Sequence, residues 1–265
     1  MMPPIPHKRP RLGISACLLG RPVRFDGSHK RDPFPVESLG PFVDWVPVCP
    51  EVESGLDSPR ESMRLVQTGG LDGFLLKTDS PRCGLDRVFP LLPIEEEGRL
   101  SDPRLRENFV ERVFAYRRLR SLFASRWSMG TVVRFHTAHK LTLMAHMPEA
   151  YRRLGRLVAS GSSMHRREFQ DRYSSDFMTA LRAIATPRRQ INVLQHMLGY
   201  FKQPLDRDSR AELLALIQDY GNGRVPLAVP LTLFAHHIRR CGVPYLAGQV
   251  YLQPHPAELM LRNQV

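Results

Sequence analysis

The sequence lacks any long apolar segment. No stretch of its 265 residues approaches the roughly 20 consecutive apolar residues that cross a bilayer as a helix. The apolar run near the start, inside MMPPIPHKRPRLGISACLLG, is too short for the core of a signal peptide. We therefore expect a soluble, cytoplasmic protein with no membrane partner, and nothing in the sequence indicates an obligate protein partner.

Cysteine is also scarce. The chain has four cysteines, and in a reducing compartment these are more often free, metal-bound or catalytic than paired in disulfides. The first three, Cys17, Cys49 and Cys83, are 32 and 34 residues apart. Because no CxxC pair occurs, the common zinc ribbons are disfavoured. The fourth, Cys241, has no companion motif, and we expect it to be structural.

Charge is divided unevenly along the chain. Residues 1–99 carry 13 Lys and Arg against 14 Asp and Glu, whereas residues 100–265 carry 25 against 12. A one-sided basic surface is typical of polyanion binders, because neutralised phosphates release counterions. The alternative is a solvated basic face without a partner. Candidate phosphate contacts lie in YRRLRSLFASR, YRRLGR, MHRREFQDRY and PRRQ, and candidate platforms for base stacking are Tyr116, Tyr151 and Tyr173.

Three short apolar runs, RLGISAC, FVDWVPVC and DGFLLK, occur in the first part of the chain. Runs of this length between turn residues predict buried strands. Cys17 ends the first run, Cys49 ends the second, and Cys83 follows the third. Because ligands bind at the carboxyl ends of strands in open α/β sheets, parallel strands would bring the three thiols to one edge. We expect an α/β, Rossmann-like domain with a short parallel sheet over residues 1–97.

From about residue 101 the pattern becomes helical. In SDPRLRENFVERVFAYRRLRSLF, Ser101 or Asp102 is the candidate N-cap, Pro103 lies in the first turn, and apolar residues recur every four positions. Further helices are expected over 132–146, 149–159, 167–185, 189–201, 209–220 and 227–240, with breaks at prolines and a glycine. Residues 98–265 are therefore predicted to form an all-α domain, joined to the first through a junction at 91–103.

Three dispersed thiolates at one edge would suit a [4Fe–4S] cluster whose fourth iron keeps an exchangeable position and acts as a Lewis acid. On spacing alone, three buried and inert cysteines are the alternative. His136 and His139 share a helical face in FHTAHKLTLMAH. Because no acidic residue completes a metal site there, we expect packed or RNA-facing histidines.

The segments around the cysteines resemble a known family. SACLLGRPVRFDGSHKRD, PVCPEVESGLDSPRES and LLKTDSPRCG resemble the DUF523 domain associated with thiouracil desulfidases. The remainder, through VVRFHTAHKLTLMAHMPEAYRRLGRL, RRQINVLQHMLGYFK and VPLAVPLTLFAHHIRR, resembles DUF1722, a second domain often fused to it. Two-domain proteins of this kind are similar to desulfidases that convert 4-thiouridine in transfer RNA to uridine. The chain departs from the family pattern in shorter connections after the second and third cysteine motifs.

This resemblance implies a role for each motif. The three cluster ligands fall on Cys17, Cys49 and Cys83, the acid of the CPE motif on Glu51, and the serine of the SPxCG motif on Ser80. Both Glu51 and Ser80 are catalytic in the family. Glu51 would deprotonate a water that attacks the ring carbon, and Ser80 would hydrogen-bond the substrate or relay a proton.

Four further residues are candidates for substrate binding. Asp26, His29 and Lys30 lie in the turn DGSHK after the first cysteine, and Lys77 ends the third apolar run. The structural alternative for Asp26, His29 and Lys30 is an ordinary polar turn. For Lys77 the alternative is a solubilising charge at a strand end. The whole pattern predicts a tRNA 4-thiouridine desulfidase with a [4Fe–4S] cluster. The alternatives are a desulfidase for free thiolated bases, a non-catalytic RNA-binding protein and a cluster-based electron carrier.

Overall fold

The computed structural model of the chain describes residues 9–23, 28–48, 70–78, 90–124, 126–201 and 205–264. The chain forms two compact units, one over Pro6–Arg118 and one that includes Leu119–Val265. The domain boundary expected between residues 97 and 98 stays a prediction.

Four short strands form the sheet of the first unit. They are β1 (Arg11–Ser15), β2 (Asp44–Val48), β3 (Gly73–Leu76) and β4 (Ile94–Glu96). Their order across the sheet is β2-β1-β3-β4, and every neighbouring pair is parallel. The predicted parallel sheet is therefore confirmed, and the carboxyl ends of the four strands lie at one edge.

β4 lies inside the segment that the sequence predicts as a domain junction. It is a three-residue strand at the edge of the sheet and pairs with β3. Two of its three residues are glutamates, so no apolar run marks it. A short edge strand is held mainly by backbone pairing and readily carries charged side chains, which explains why its sequence gives no strand signal.

Helices make up the regular structure that the described residues form after β4, apart from short 3-10 turns. They are α1 (Pro103–Ala124), α2 (Met129–Ala138), α3 (Lys140–His146), α4 (Pro148–Ser160), α5 (Arg166–Arg182), α6 (Pro187–Leu198), α7 (Arg207–Gly221), α8 (Ala228–Cys241) and α9 (Pro244–Ala247). The predicted helical character of this region is confirmed. Across the described ranges, no helix has the length and apolar content to span a membrane.

Local chemistry sets the helix ends. The Asp102 carboxylate accepts hydrogen bonds from the backbone N–H groups of Arg104 and Leu105, at 2.8 and 3.2 Å, so Asp102 rather than Ser101 caps α1. The segment expected as one helix over 132–146 is two helices, α2 and α3. His139 separates them with φ −98° and ψ 6°, and it caps both.

The core of the sheet is tightly packed. Leu12 and Ile14 of β1 are fully buried, and a Cβ atom added to Gly13 between them would lie 2.3 Å from the Phe74 ring. Asp72, which is also fully buried, accepts a hydrogen bond from the Arg11 backbone N–H at 3.0 Å. This close packing fixes the register of β1 against β3 and hence the position of their carboxyl ends.

Candidate functional site

The carboxyl edge of the sheet carries the first predicted cluster ligand. Cys17 lies two residues beyond β1, in the 3-10 turn Ala16–Leu19, and is 8% exposed. The turn ends at Gly20, whose φ of 86° is in the left-handed region that favours glycine. The Gly20 backbone N–H donates a hydrogen bond to the Cys17 carbonyl at 3.1 Å. Cys17 is therefore held in a fixed turn at the end of β1.

The predicted substrate segment lies beside this turn. The Lys30 backbone N–H donates to the Cys17 carbonyl at 3.0 Å, and the Asp32 N–H donates to the Leu18 carbonyl at 3.1 Å. The side chains of His29 and Lys30 are exposed. The fold thus attaches the His29–Lys30 segment to the cysteine turn and leaves both side chains accessible to a ligand.

Lys77 lies at the same edge, directly after β3. Its backbone N–H donates to the Ser15 hydroxyl at 3.1 Å, which joins the ends of β3 and β1. Its ammonium donates to the Thr78 carbonyl at 2.8 Å and lies 4.0 Å from Glu97 Oε1. The lysine therefore contributes a half-buried positive charge at this edge, and its role in substrate binding stays a prediction.

Glu97 is a residue of this edge that the sequence does not identify. Its Oε2 accepts hydrogen bonds from the Thr78 backbone N–H and from the Thr78 hydroxyl, the latter at 3.0 Å. The Thr78 hydroxyl oxygen in turn accepts from the Gly98 N–H at 3.1 Å. Glu97 thus fixes the chain where it leaves β3. The sequence does not identify Glu97, because it is one of three consecutive glutamates at residues 95–97. Which of the three faces Thr78 depends on the register of β4.

Five predicted site residues lie outside the described residues: Asp26, Cys49, Glu51, Ser80 and Cys83. In sequence, Cys49 directly follows the last residue of β2, Val48, which is paired with Ser15 of β1. The described part of the chain contains no group of three or more His, Cys, Asp or Glu residues placed to hold a metal ion. The three-cysteine ligand set therefore stays a prediction.

Several arginines of the predicted phosphate-binding segments are engaged within the fold. The Arg117 guanidinium lies 3.4 Å from the buried carboxylate of Asp72. Arg118 is buried, and desolvation lowers its pKa to about 10, an effect that the charge of Glu111 partly offsets. Arg189 donates to the His146 carbonyl at 2.7 Å. These three arginines support the packing of the protein.

Other arginines of the same segments face solvent. Five exposed side chains on α4, α5 and α6 are those of Arg152, Arg156, Arg167, Arg172 and Arg188. For Arg152 the described counterion is Glu149, at 3.9 Å and itself exposed, and such surface pairs are weak. These side chains are therefore able to meet the phosphates of a polyanion.

The candidate stacking tyrosines differ in accessibility. Tyr173 is fully buried between Phe169 and Phe177, with ring centroids 5.7 and 6.1 Å away, so it cannot stack on a base, and that expectation was wrong. Burial also raises the pKa of its hydroxyl. Tyr116 packs against the hydrophobic cluster of the sheet. Tyr151 is half-buried and remains a candidate.

The two histidines considered as metal ligands are packed inside the helical unit. His136 bonds through Nδ1 to the Tyr173 hydroxyl at 3.2 Å, and desolvation lowers its pKa to about 4. His139 bonds through Nδ1 to the Phe135 carbonyl at 2.8 Å. Both side chains are buried, which confirms the expectation of packed histidines.

Comparison with known proteins divides the chain into two matched segments. Residues 12–71 match the family described as 2-thiouracil desulfurase, and residues 140–256 match a protein family of unknown function, DUF1722. The chain is 31% identical over 161 residues, which is 60% of its length and 95% of its relative's, to the uncharacterized protein YbgA of Escherichia coli strain K12. No solved structure matches it.

These matches confirm the expected pairing of the two domains. The first match indicates sulfur-removal chemistry for the sheet unit. It includes Cys17 and Cys49 and ends before Lys77, Ser80 and Cys83.

Proposed function

This chain belongs to the same family as YbgA, and we propose that it removes sulfur from 4-thiouridine in transfer RNA, giving uridine and hydrosulfide. The observation that carries the proposal is the position of Cys17, a buried thiol in a fixed turn at the carboxyl edge of a parallel sheet, within the segment that matches 2-thiouracil desulfurase. Water supplies the oxygen that replaces sulfur, so the overall reaction needs no oxidant or reductant.

Cys17, Cys49 and Cys83 are the residues that would hold a [4Fe–4S] cluster. Thiolates are the preferred ligands of iron–sulfur clusters, and the shielded position of Cys17 beside a strand end suits such a ligand. Cys49 comes next in sequence after a strand that pairs with β1. Three protein ligands would leave one iron of such a cluster open to a substrate. When bound, the cluster would supply a Lewis acid with affinity for a soft thiocarbonyl sulfur.

The remaining roles belong to side chains of the chain itself. Glu51 would take a proton from the attacking water, and Ser80 would hydrogen-bond the base or pass a proton to it. Lys77 would favour the thiolate form of nearby cysteines through its positive charge. Asp26, His29 and Lys30 would hold the substrate in the segment whose described part is attached to the Cys17 turn.

The basic charge supports RNA as the substrate. Residues 100–265 carry 25 Lys and Arg against 12 Asp and Glu, and five arginines on consecutive helices expose their side chains. A free base would need no such surface. The second candidate function, a desulfidase for free thiolated bases, is favoured by the description of the matched family, which is named for 2-thiouracil.

The test begins with purification and cluster reconstitution without oxygen. The protein is then incubated with transfer RNA containing 4-thiouridine and, separately, with free 2-thiouracil and 4-thiouracil. We expect the 4-thiouridine absorbance of the RNA to be lost, and Cys49→Ala and Glu51→Ala to abolish the loss. Cys241→Ala is the matched control, because this cysteine is outside the proposed ligand set.

Two outcomes oppose the proposal. Turnover of the free bases alone would favour the second candidate. A protein that binds RNA but retains neither iron nor sulfide after reconstitution, and turns over no substrate, would be a non-catalytic RNA-binding protein.

A further inference from the structure

Several elements of the helical unit bring aromatic rings to one lysine. Lys140 begins α3, Tyr151 lies on α4, His196 on α6, Tyr200 in the 3-10 turn that follows α6, and Tyr245 on α9. The Lys140 ammonium lies 6.0 Å from the Tyr151 ring centroid and 5.6 Å from that of Tyr245. We name these five residues the Lys140 cluster. All five are half-buried, so the cluster reaches solvent.

Stacking holds the rings of the Lys140 cluster in place. Tyr200 and Tyr245 stack with centroids 4.8 Å apart and an angle of 13° between their planes. His196 meets the Tyr200 ring edge to face at 5.5 Å. Tyr151 stacks on the buried His136 at 5.3 Å and 7°. Because each ring is supported by another ring, the cluster is already ordered in the absence of a ligand. This reduces the conformational entropy that is lost on binding.

The charge of the Lys140 cluster is not balanced within the described structure. The rings of Tyr151 and Tyr245 lie near the Lys140 ammonium, and no carboxylate of the described residues lies within ion-pair distance of it. Burial and then the positive charge of Lys140 lower the pKa of His196, which favours the neutral form of its ring. Removing a cation partly from water without a counterion is unfavourable, so a ligand that brings negative charge would be stabilised here.

The tyrosine hydroxyls add hydrogen-bond donors. Burial raises the pKa of Tyr245, and its hydrogen bond to Tyr200 raises it further, so the Tyr245 hydroxyl stays protonated and donates to Tyr200. The Tyr200 hydroxyl can then donate its own proton to a ligand. Tyr151 interacts electrostatically with the same hydroxyl. A cation beside several phenolic O–H groups and flat aromatic faces has the chemistry of a phosphate site next to a stacking surface for a base.

We propose that the Lys140 cluster binds the phosphate of a nucleotide, either free or within RNA, with Lys140 as the cationic contact and the tyrosines as hydroxyl donors. The cluster lies inside the segment that matches the family of unknown function. The inference rests on the proposed function only where RNA is the source of the phosphate.

The test is isothermal titration calorimetry of the full chain with uridine monophosphate, uridine, inorganic phosphate and an unmodified transfer RNA transcript. The wild-type protein should bind uridine monophosphate more tightly than uridine. Lys140→Met should weaken that binding by about tenfold or more, because a hydrogen bond between charged groups is lost, while Lys140→Arg should retain most of it. Tyr245→Phe, which keeps the ring and removes the hydroxyl, should weaken it less. Arg207→Met, which removes an exposed positive charge from the start of α7, is the matched control.

The transfer RNA titration identifies the source of the phosphate. A parallel loss of RNA affinity in Lys140→Met supports a phosphate of RNA, and an unchanged RNA affinity with weakened uridine monophosphate binding supports a free nucleotide. The proposal is overturned if the wild-type protein binds neither ligand, or if Lys140→Met binds both as the wild type does while its thermal midpoint is unchanged. Because the transcript lacks 4-thiouridine and the assay follows binding, failure here is separate from failure of desulfidation.

Discussion

Replacing Glu97 by alanine tests whether the edge of the sheet is held by a single carboxylate. Glu97 Oε2 accepts two hydrogen bonds from Thr78, one from the backbone N–H and one from the hydroxyl. Hydrogen bonds to charged groups contribute about 1.5–3 kcal/mol each when their partner would otherwise be left buried. The Glu97 side chain is 12% exposed. Because the Thr78 hydroxyl can turn toward water, we expect Glu97→Ala to lower the free energy of unfolding by about 2–4 kcal/mol.

Glu95→Ala is the matched control. The Glu95 side chain is also 12% exposed, but its carboxylate pairs with an exposed arginine, Arg99, four residues later in the chain. Such a pair contributes about 0–1 kcal/mol. Both glutamates lie within three residues of each other in the same segment, so the two variants differ mainly in the bonds to Thr78 and in the 4.0 Å contact of Glu97 with Lys77.

The assay is urea denaturation followed by tryptophan fluorescence. The chain has two tryptophans, Trp45 in β2 and Trp127 in the helical unit. In a Trp127→Phe background, Trp45 alone reports unfolding of the sheet unit. A Glu97→Ala variant whose midpoint shifts no further than that of Glu95→Ala would refute the reasoning, because the Thr78 bonds would then contribute nothing to stability.

Three further predictions concern the rest of the fold. Burial holds the pKa of His136 at about 4, below the 6.5 of an unfolded histidine, so the unfolded chain binds the proton first as pH falls. Urea titrations should show the free energy of unfolding decreasing by up to about 3 kcal/mol between pH 6.5 and 4, and decreasing less in His136→Gln. If the free energy of unfolding fell equally with pH in both proteins, the lowered pKa of His136 would be contradicted. Ser128→Ala removes the capping box of α2 and should cost about 1 kcal/mol in the same assay, whereas Ser162→Ala, at an exposed turn position, should cost nothing measurable. Gly13→Ala places a Cβ atom 2.3 Å from the Phe74 ring and should destabilise the sheet by about 1–3 kcal/mol, measured by thermal unfolding; an unchanged midpoint would contradict the packing described.

The sheet and helices follow from patterns that are strong in the sequence. Apolar runs bounded by turn residues predicted β1, β2 and β3, and the four-residue period predicted α1, because burial requires these patterns whatever the rest of the fold does. Pro148 and Pro187 were expected as breaks, and each begins a helix, where a missing N–H costs nothing.

The features that the sequence did not reveal depend on long-range contacts. β4 is recognisable only through its pairing with β3, and Glu97 only through its bonds to Thr78. Tyr173 is buried because rings of α2 and of its own helix pack around it. The break at His139 lies in a sequence that is otherwise helical, so no local pattern marks it. Local periodicity contains no information about which face of a helix a distant element covers.

The position of Cys17 follows from both kinds of information. Its place after an apolar run predicted a strand end, and the parallel sheet put that strand end at a common edge with the ends of β2 and β3. The cluster chemistry came from the resemblance of the flanking motifs, because spacing alone left three inert cysteines as an alternative. The place of Cys17 was therefore predictable from topology, whereas the three-cysteine ligand set and the roles of Glu51 and Ser80 stay predictions.

Mössbauer spectroscopy of the reconstituted protein tests the central claim most directly. The claim is that three cysteines hold a four-iron cluster whose fourth iron binds the substrate's sulfur. Addition of 4-thiouridine monophosphate should change the spectrum of one iron in four, and Cys17→Ala should abolish the cluster signal. A spectrum that is unaffected by the thiolated nucleotide, or a cluster that survives Cys17→Ala unchanged, would contradict the account.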